Sequence, residues 1–187
     1  MSYDSYMQVS NGIEGESTAK GYEKWIKLYS YSFGAANPST VSSGSTGLSS
    51  GRTSVSSFNV MMRREKATPQ LFGFMVAGQH IDKIIVHLTK NIGGKGAVQK
   101  PFEIYTFDNC LVEHVDWSGS GGEDEPVSNV SFAYAKLTVH YEQQDTKGGT
   151  VGKPVEAFFD QTTVETGCPP RAARLANRWK PSLIRRR

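Results

Sequence analysis

The sequence predicts an all-β protein, and three observations carry that prediction. Nineteen glycines stand in a background rich in serine and threonine, which is typical of strands joined by turns. Few stretches show the 3.6-residue apolar period of an amphipathic helix. The segment 25–34, WIKLYSYSFG, instead alternates with a period of two, which is the spacing of side chains along an extended strand.

This alternating segment is expected to form a wall of the fold. Large side chains occupy its odd positions, and the even positions change from aliphatic to small. A strand with aromatic side chains on one face must be covered on that face, by the core or by a neighbouring subunit. The covered face is predicted to carry Trp25, Lys27, Tyr29, Tyr31 and Phe33, and the opposite face Ile26, Leu28, Ser30, Ser32 and Gly34.

The remaining runs predict seven further strands and one helix. Thr68 is the expected N-cap, Pro69 the first helical residue and Gly78 the left-handed residue at the C-terminal end. Leu71, Phe74 and Met75 share one face of this helix, so the helix is expected to pack with that face against a barrel or sandwich. The strands are predicted near 4–10, 24–34, 53–62, 81–90, 101–108, 110–117, 128–142 and 154–160.

Two connections stand out by length and composition. Residues 35–52, AANPSTVSSGSTGLSSGR, form a Ser/Gly/Thr segment without apolar period, longer than a compact domain normally leaves unstructured. Residues 118–126, SGSGGEDEP, place Glu123, Asp124 and Glu125 after a glycine-rich turn. This second loop is either a flexible hairpin connection or an acidic surface that meets another chain.

Length and charge indicate one domain, residues 1–167, followed by a basic tail, residues 168–187. A chain of about 150 residues can bury roughly two thirds of its unfolded surface. Seven of the 21 basic residues lie in the tail, which has no acid, so the domain carries 14 basic and 18 acidic residues, a net charge of −4. A mildly acidic domain without a basic stripe argues against nucleic acid as a partner. The tail is read as disordered, as an arm that touches phosphate, or as an extension foreign to the natural protein.

The two cysteines, Cys110 and Cys168, are too few for a disulfide framework, so two free thiols and synthesis in a reducing compartment are expected. No apolar run approaches the roughly 20 residues that a membrane-spanning helix needs, and no membrane partner is expected. The start, MSYDSYMQVS, lacks the basic and apolar regions of a signal peptide. Export by the general secretory route is therefore not expected.

The sequence contains no motif that predicts a catalytic residue, a cofactor or a bound metal ion. His87, His114 and His140 lie in strands and could converge with Glu113 or Asp116, but no zinc-ligand spacing is present. The glycine-rich NIGGKG at 91–96 lacks the spacing and the following helix of a phosphate loop, and reads as a turn. No nucleophile motif occurs. We therefore expect a protein that is not an enzyme.

An ordered set of motifs is similar to a known family. The set comprises GES at 15–17, WIKLYSYSFG at 25–34, ATPQL at 67–71, SGSGGED at 118–124 and NVSFAYAKLTVHYEQQD at 129–145. It resembles the haemolysin-coregulated protein (Hcp) family, the tube-forming subunits of type VI secretion systems. The resemblance covers residues 3 to about 167, and the tail from Cys168 matches nothing in the family pattern.

The resemblance implies a two-sheet antiparallel β-barrel with one short α-helix, related to phage tail tube proteins. It further implies hexameric rings that stack into a hollow tube, with spike and sheath proteins as partners and small secreted effectors in the lumen. The protein would lie in the bacterial cytoplasm before firing and be secreted afterwards. A ring would also cover each subunit's sheet edge.

Residue roles follow from this resemblance. Ser30, Ser32 and Gly34 are expected at the lumen, where small polar side chains would keep a wet channel that binds effectors weakly. Trp25, Tyr29, Tyr31 and Phe33 are expected in the core or at the ring interface. The stacking candidates in the long loop are Asn37, Ser43, Ser45, Leu48 and Arg52.

Three other readings remain open at this point. A monomeric β-sandwich that binds a ligand, such as a carbohydrate, would explain the aromatic residues and would present an exposed aromatic cleft. A phage tail tube subunit would share the mechanism and differ in its genomic neighbours. An enzyme of unrecognised type is the third.

Overall fold

The computed structural model describes residues 3–41, 48–90, 99–119, 125–144 and 151–167. Within these ranges the chain forms strands and one helix. The elements are β1 (Tyr3–Val9), β2 (Ile26–Ser32), β3 (Ala35–Ala36), β4 (Ser39–Val41), β5 (Leu48–Ser50), β6 (Ser54–Val55), β7 (Phe58–Arg63), α1 (Ala67–Ala77), β8 (His80–Lys90), β9 (Pro101–Ser118), β10 (Val127–Tyr141), β11 (Val155–Asp160) and β12 (Glu165–Gly167). The tail 168–187 and Cys168 lie outside the described residues.

Six antiparallel strands close into a barrel in the order β10–β7–β2–β1–β8–β9, because β9 pairs again with β10. Closure removes the free edges that an open sheet of these strands would expose. Strand β11 pairs with the C-terminal part of β10, residues 136–141, and β12 pairs with β11. Strands β3 and β6, and strands β4 and β5, form two small ladders. The prediction of an all-β barrel with one short helix is confirmed.

The barrel interior is aromatic and aliphatic. Phe58 stacks on Phe107 at 4.3 Å between ring centroids and on Phe132 at 6.0 Å, and all three side chains are fully buried. They come from β7, β9 and β10, so the core joins strands distant in sequence. Burial of each such side chain contributes roughly 1.5–3 kcal/mol.

Residues 101–108 and 110–117 belong to one strand, so the prediction of two strands is wrong. Asn109 adopts φ 52°, yet its neighbours Asp108 and Cys110 stay paired with β10. Asparagine tolerates this left-handed conformation well. The side-chain phase changes at this point, since Phe107 and Cys110 are both buried although three positions apart. The irregularity that resembled a turn is therefore a bend within a continuous strand.

Strand β2 changes face at Tyr29. Leu28 pairs with Met62 and Ser30 with Met61, so Tyr29 is one extra residue in β2, a β-bulge. Ile26 and Leu28 therefore point into the core before the bulge, whereas Tyr31 and Phe33 pack against it afterwards. The prediction of one continuous aromatic face from Trp25 to Phe33 is wrong for this reason.

Helix α1 begins at Ala67, two residues before the predicted start. Thr68 is not the N-cap but lies buried inside the first turn, where Pro69 is tolerated because the first four helical N–H groups need no partner within the helix. The Lys66 N–H is instead bound by the Glu16 carboxylate at 3.1 Å. Gly78 ends the helix at φ 61°, as predicted.

The described residues of the segment 35–52, namely 35–41 and 48–52, contain paired strands rather than only irregular chain. Ala35 and Ala36 pair with β6, and beyond them β4 pairs with β5 in an antiparallel ladder, Ser39 opposite Ser50 and Val41 opposite Leu48. The Gly51 N–H donates to the Pro38 carbonyl at 2.7 Å and closes the base of this ladder. We call the described residues 38–41 and 48–51 the hairpin extension. Its ladder is an antiparallel backbone pairing.

Candidate functional site

A polar face covers the outside of four neighbouring barrel strands, and we call it the polar sheet face. Cross-strand pairing arranges it in two rows. One row runs Ser32, Asn59, Ser131, His114, and the other runs Ser30, Met61, Asn129, Asp116. A shallow depression of about 390 Å³ lies over these residues. Two serines at the predicted lumen positions thus belong to a wider surface.

Hydrogen bonds within the polar sheet face fix several of its side chains. The Ser131 hydroxyl donates to the side-chain amide oxygen Oδ1 of Asn59, and the Asn59 side-chain Nδ2 donates to the Ser57 backbone carbonyl at 3.1 Å. His114 Nε2 lies 2.9 Å from an Asp116 carboxylate oxygen. Small hydroxyl and amide groups dominate this surface, which can therefore accept and donate weak hydrogen bonds to many partners. Gly34 lies beyond the first row, two residues after Ser32, and its N–H donates to Ser56 Oγ at 2.8 Å.

The four aromatic candidates are divided between core and surface. Tyr31 and Phe33 contact Tyr105, at 5.8 and 4.9 Å between centroids, and are half-buried against the core. Tyr29 is 48% exposed, so it is not a core residue. The sequence pattern did not reveal this split, because the bulge leaves no trace in the alternation itself.

Trp25 belongs to a second aromatic cluster on the outside of β1 and β8. Tyr6 stacks on Tyr22 at 4.5 Å, and His87 lies 4.8 Å from Trp25 between ring centroids. The Tyr22 hydroxyl is 3.2 Å from His87 Nδ1. Burial lowers the pKa of His87 to about 4 and raises that of Tyr22 to about 12, so both groups are neutral near pH 7.

The structure describes only parts of the hairpin extension and of the acidic loop, residues 118–126. Asn37 donates to Thr53 Oγ1 at 3.4 Å, and Arg52 is exposed. Leu48 opens β5, while Ser43 and Ser45 lie outside the described residues. Of the acidic candidates, Glu125 binds Arg63 at 2.8 Å and accepts from the Tyr29 hydroxyl at 3.1 Å, whereas Glu123 and Asp124 lie outside the described residues.

A groove of about 400 Å³ was not foreseen from the sequence. Its lining comes from the loop 16–19, from strands β1 and β2, and from the C-terminal end of β7 with the following Glu65. Glu65 accepts from the Glu16 N–H at 2.9 Å through one oxygen, whereas its other oxygen is buried without a hydrogen bond from the described residues. Burial raises the pKa of the Glu65 carboxyl. We call this surface the end groove, and the residues that line it are Tyr6, Glu16, Ser17, Thr18, Ala19, Lys27, Tyr29, Arg63 and Glu65.

A small aromatic surface accompanies helix α1. Phe72 contacts Trp117 at 5.2 Å between ring centroids, and Trp117 is 50% exposed. Val76, one turn further along, is 69% exposed. The described part of the chain holds no cluster of three or more histidine, cysteine or acidic side chains arranged to bind a metal ion. Across the same ranges, no helix combines the length and apolar character needed to cross a bilayer.

Comparisons with known proteins identify relatives of this chain. A family model described as "Type VI secretion system effector, Hcp" matches residues 6–141. Protein hcp1 of Pseudomonas aeruginosa is 34% identical over 92 residues, 49% of this chain and 55% of that protein. The chain thus aligns with about half the length of that curated relative.

Solved structures extend the similarity to nearly the whole domain. A type six secretion system protein superposes with a TM-score of 0.81 at 29% identity, over 89% of this chain and 100% of that one. Hcp1 from Salmonella typhimurium gives a TM-score of 0.69 at 26% identity, over 89% and 99%. The family match spans most of the barrel, including β2 and the polar sheet face. The chain therefore belongs to the Hcp family of type VI secretion system tube proteins.

Proposed function

We propose that this protein forms homohexameric rings that stack into the inner tube of a type VI secretion system and carry small effectors in the lumen. The observation that carries the proposal is the family match over residues 6–141 together with the closed barrel.

Ring formation has a physical basis in this fold. A cyclic assembly needs two different complementary surfaces on each subunit. The barrel presents exposed apolar side chains on two separated elements, Phe72 and Val76 on α1 and Val155 on β11 beside Tyr141. Contacts between neighbouring subunits would remove these side chains from water. Tyr29, also exposed, remains a candidate for this interface.

The polar sheet face is proposed as the wall of the lumen. Ser30, Ser32 and Gly34 are exposed there, and the two rows add Asn59 and His114. Small polar groups hold water and offer hydrogen bonds of low individual free energy, about 1 kcal/mol each. Such a wall suits weak binding of varied effectors that must later be released.

The remaining parts of the proposal concern partners and route. The stacked tube would contact spike and sheath proteins and would leave the cytoplasm through the contractile apparatus. No catalytic step is assigned to the subunit, and residues 1–167 are proposed as its working domain. The acidic loop around Glu125 is proposed as a contact surface between subunits, since Glu125 already pairs with Arg63 on the neighbouring strand.

Replacement of Ser32 by glutamine tests the lumen assignment. A bulkier side chain should leave rings intact, because Ser32 is exposed and lies outside the core. Effectors that depend on the ring for stability should fall in abundance several-fold, as measured by immunoblot of the producing cells. Gln8→Glu, on the exposed face of β1, is the control. Normal effector levels beside normal Ser32→Gln rings would count against the lumen assignment.

A further inference from the structure

A cleft lies between two strand ladders that do not pair with each other in the described residues. One wall comes from residues 52–55, which lead into and include β6, and the other from Phe159, Gln161 and Val164, in β11 and the turn after it. Strand β6 pairs with β3, whereas β11 pairs with β10 and β12. Because no described strand fills the gap between these walls, a volume of about 300 Å³ stays open, and we call it the side cleft.

The lining of the side cleft combines apolar side chains with one positive charge. Val55 and Phe159 are half-buried, and Val164 is 54% exposed. Among the described residues that line the cleft, Arg52 alone is charged, and it forms no ion pair with a described carboxylate. A guanidinium group without an acid beside it is available to bind a carboxylate through two parallel hydrogen bonds. The cleft therefore joins an anion-binding group to apolar walls, which is the usual composition of a small-ligand site.

The backbone at Val164 also distinguishes this cleft. Val164 has φ 57°, in the left-handed region that β-branched residues rarely adopt. Asp160 fixes the turn in this form, because its Oδ1 accepts from the Thr162 N–H at 2.9 Å and from the Thr162 hydroxyl at 2.6 Å. Residues strained in this way are concentrated at functional sites. The turn thus presents an apolar side chain to the cleft at a position where glycine or asparagine would fit the backbone better.

We propose that the side cleft binds a carboxylate carried by an apolar group, with Arg52 bound to the carboxylate and Phe159 and Val164 in contact with the apolar part. The proposal goes beyond assembly of the tube and does not depend on it. Two sources share this chemistry, a free small-molecule carboxylate and the C-terminus of a polypeptide that ends in an apolar residue. In the second case the hydroxyl groups of Thr53 and Ser54 can bond to the peptide backbone.

Four probes distinguish the two sources in ligand-observed NMR titrations of the purified protein. They are 4-phenylbutyrate, its amide, the peptide acetyl-Gly-Gly-Phe with a free C-terminus, and the same peptide with an amidated C-terminus. At least one carboxylate should bind with a dissociation constant below about 1 mM, and its amide should bind about tenfold more weakly. Tighter binding of the peptide acid would assign a polypeptide C-terminus as the ligand, and tighter binding of phenylbutyrate would assign a small molecule.

Two results of these titrations would overturn the proposal. One is the absence of binding by both carboxylates at concentrations up to about 10 mM. The other is equal binding of each acid and its amide, because the charge of Arg52 would then play no part.

Arg52→Gln tests the anion-binding group directly. The change removes the positive charge at an exposed position, so the fold should be retained. Carboxylate binding should weaken about tenfold, and the difference between acid and amide should disappear. Arg64→Gln, at an exposed arginine outside the cleft lining, is the matched control and should bind like the native protein. Equal affinity of Arg52→Gln and the native protein would also overturn the proposal.

Val164→Asn separates binding from stability. Asparagine tolerates the left-handed backbone better than valine, so this variant should unfold at a urea concentration equal to or above that of the native protein. Binding of the carboxylate should nevertheless weaken severalfold, because the apolar contact is lost. A Val164→Asn protein that binds the carboxylate as tightly as the native protein would show that the ligand does not contact this side chain, and the proposed site would be wrong.

Discussion

Gly15 occupies a position with no room for a side chain. A Cβ atom there would overlap the backbone carbonyl oxygen of Trp25, and a backbone atom cannot move aside by a side-chain rotation. The same glycine donates its N–H to the Lys24 carbonyl at 2.8 Å. The glycine of the GES motif thus lets the loop 10–25 lie against the start of β2.

We predict that Gly15→Ala lowers the free energy of unfolding by about 1–3 kcal/mol, because the loop must move to admit the methyl group. Gly73→Ala is the matched control, since a Cβ atom at this helical position meets nothing within 4 Å. That control should be stabilised by about 0.5–1 kcal/mol. Urea denaturation of the three proteins measures both effects, and equal stability of Gly15→Ala and the native protein would contradict the prediction.

His87 makes stability depend on pH. Its pKa is lowered by burial to about 4 in the folded protein, against about 6.5 in an unfolded chain. Between these values the unfolded chain binds a proton that the folded protein does not, so stability falls as pH falls from 6.5 towards 4.

We expect a loss on the order of 1 kcal/mol between pH 7 and pH 5, reduced from the full linkage value because His87 is only partly buried. His87→Phe should remove this part of the pH dependence, whereas His114→Gln, at an exposed histidine, should keep it. Denaturant titrations at the two pH values supply the measurement. If the free energy of unfolding changed equally with pH in the native protein and in His87→Phe, His87 would not be the source of the pH dependence.

At the scale of elements, the hairpin extension invites a clean deletion. Pro38 and Gly51 are already joined by a hydrogen bond, so residues 39–50 can be replaced by an Asn-Gly turn without moving the barrel. We predict unchanged ring mass and loss of stacked tubes in electron micrographs of lysed cells. Replacing Gln8 by alanine, on the exposed face of β1, should preserve the tubes. Tubes of normal length in the shortened variant would show that the hairpin does not hold the rings together.

Sequence reasoning located most elements but missed features set by pairing between strands. The glycine C-cap at Gly78 and the strand-like runs near 4–10, 81–90 and 128–142 are local signals, and they gave the correct elements β1, β8 and β10. The bulge at Tyr29 and the bend at Asn109 depend on the register of the neighbouring strand, which a single strand does not encode. The serines of the polar sheet face could be named in advance, but Asn59, Asn129 and His114 joined them only through that register.

The end groove is a clearer case of a feature that the sequence alone did not reveal. Its lining combines a loop between β1 and β2 with residues at the end of β7, positions almost fifty residues apart. None of these residues forms a recognisable motif alone. Their proximity follows from the barrel topology, and it became visible only with the fold.

For the whole molecule, the central prediction is a closed ring. Native mass spectrometry at micromolar concentration should give a species of six 20.5 kDa chains, because each subunit leaves apolar side chains on separate elements for its neighbours to cover. Val76→Glu, which places a charge on the exposed face of α1, should weaken the ring. Gln70→Glu adds the same charge to α1 outside the apolar strip of Phe72 and Val76, and it should not weaken the ring. A native protein that stays monomeric under these conditions would contradict ring formation.

The order of strands in the barrel has a consequence for biosynthesis. Once the ribosome has released residues 1–63, β1, β2 and β7 can form a three-stranded sheet, but β7 finds its second neighbour only when β10 emerges, 64 residues after Arg63 at Val127. At about 5–20 residues per second this takes roughly 3–13 s. During that interval the nascent sheet offers an unpaired edge to other nascent chains. Polysomes that crowd copies of this subunit together therefore expose it to misassembly before its barrel has closed.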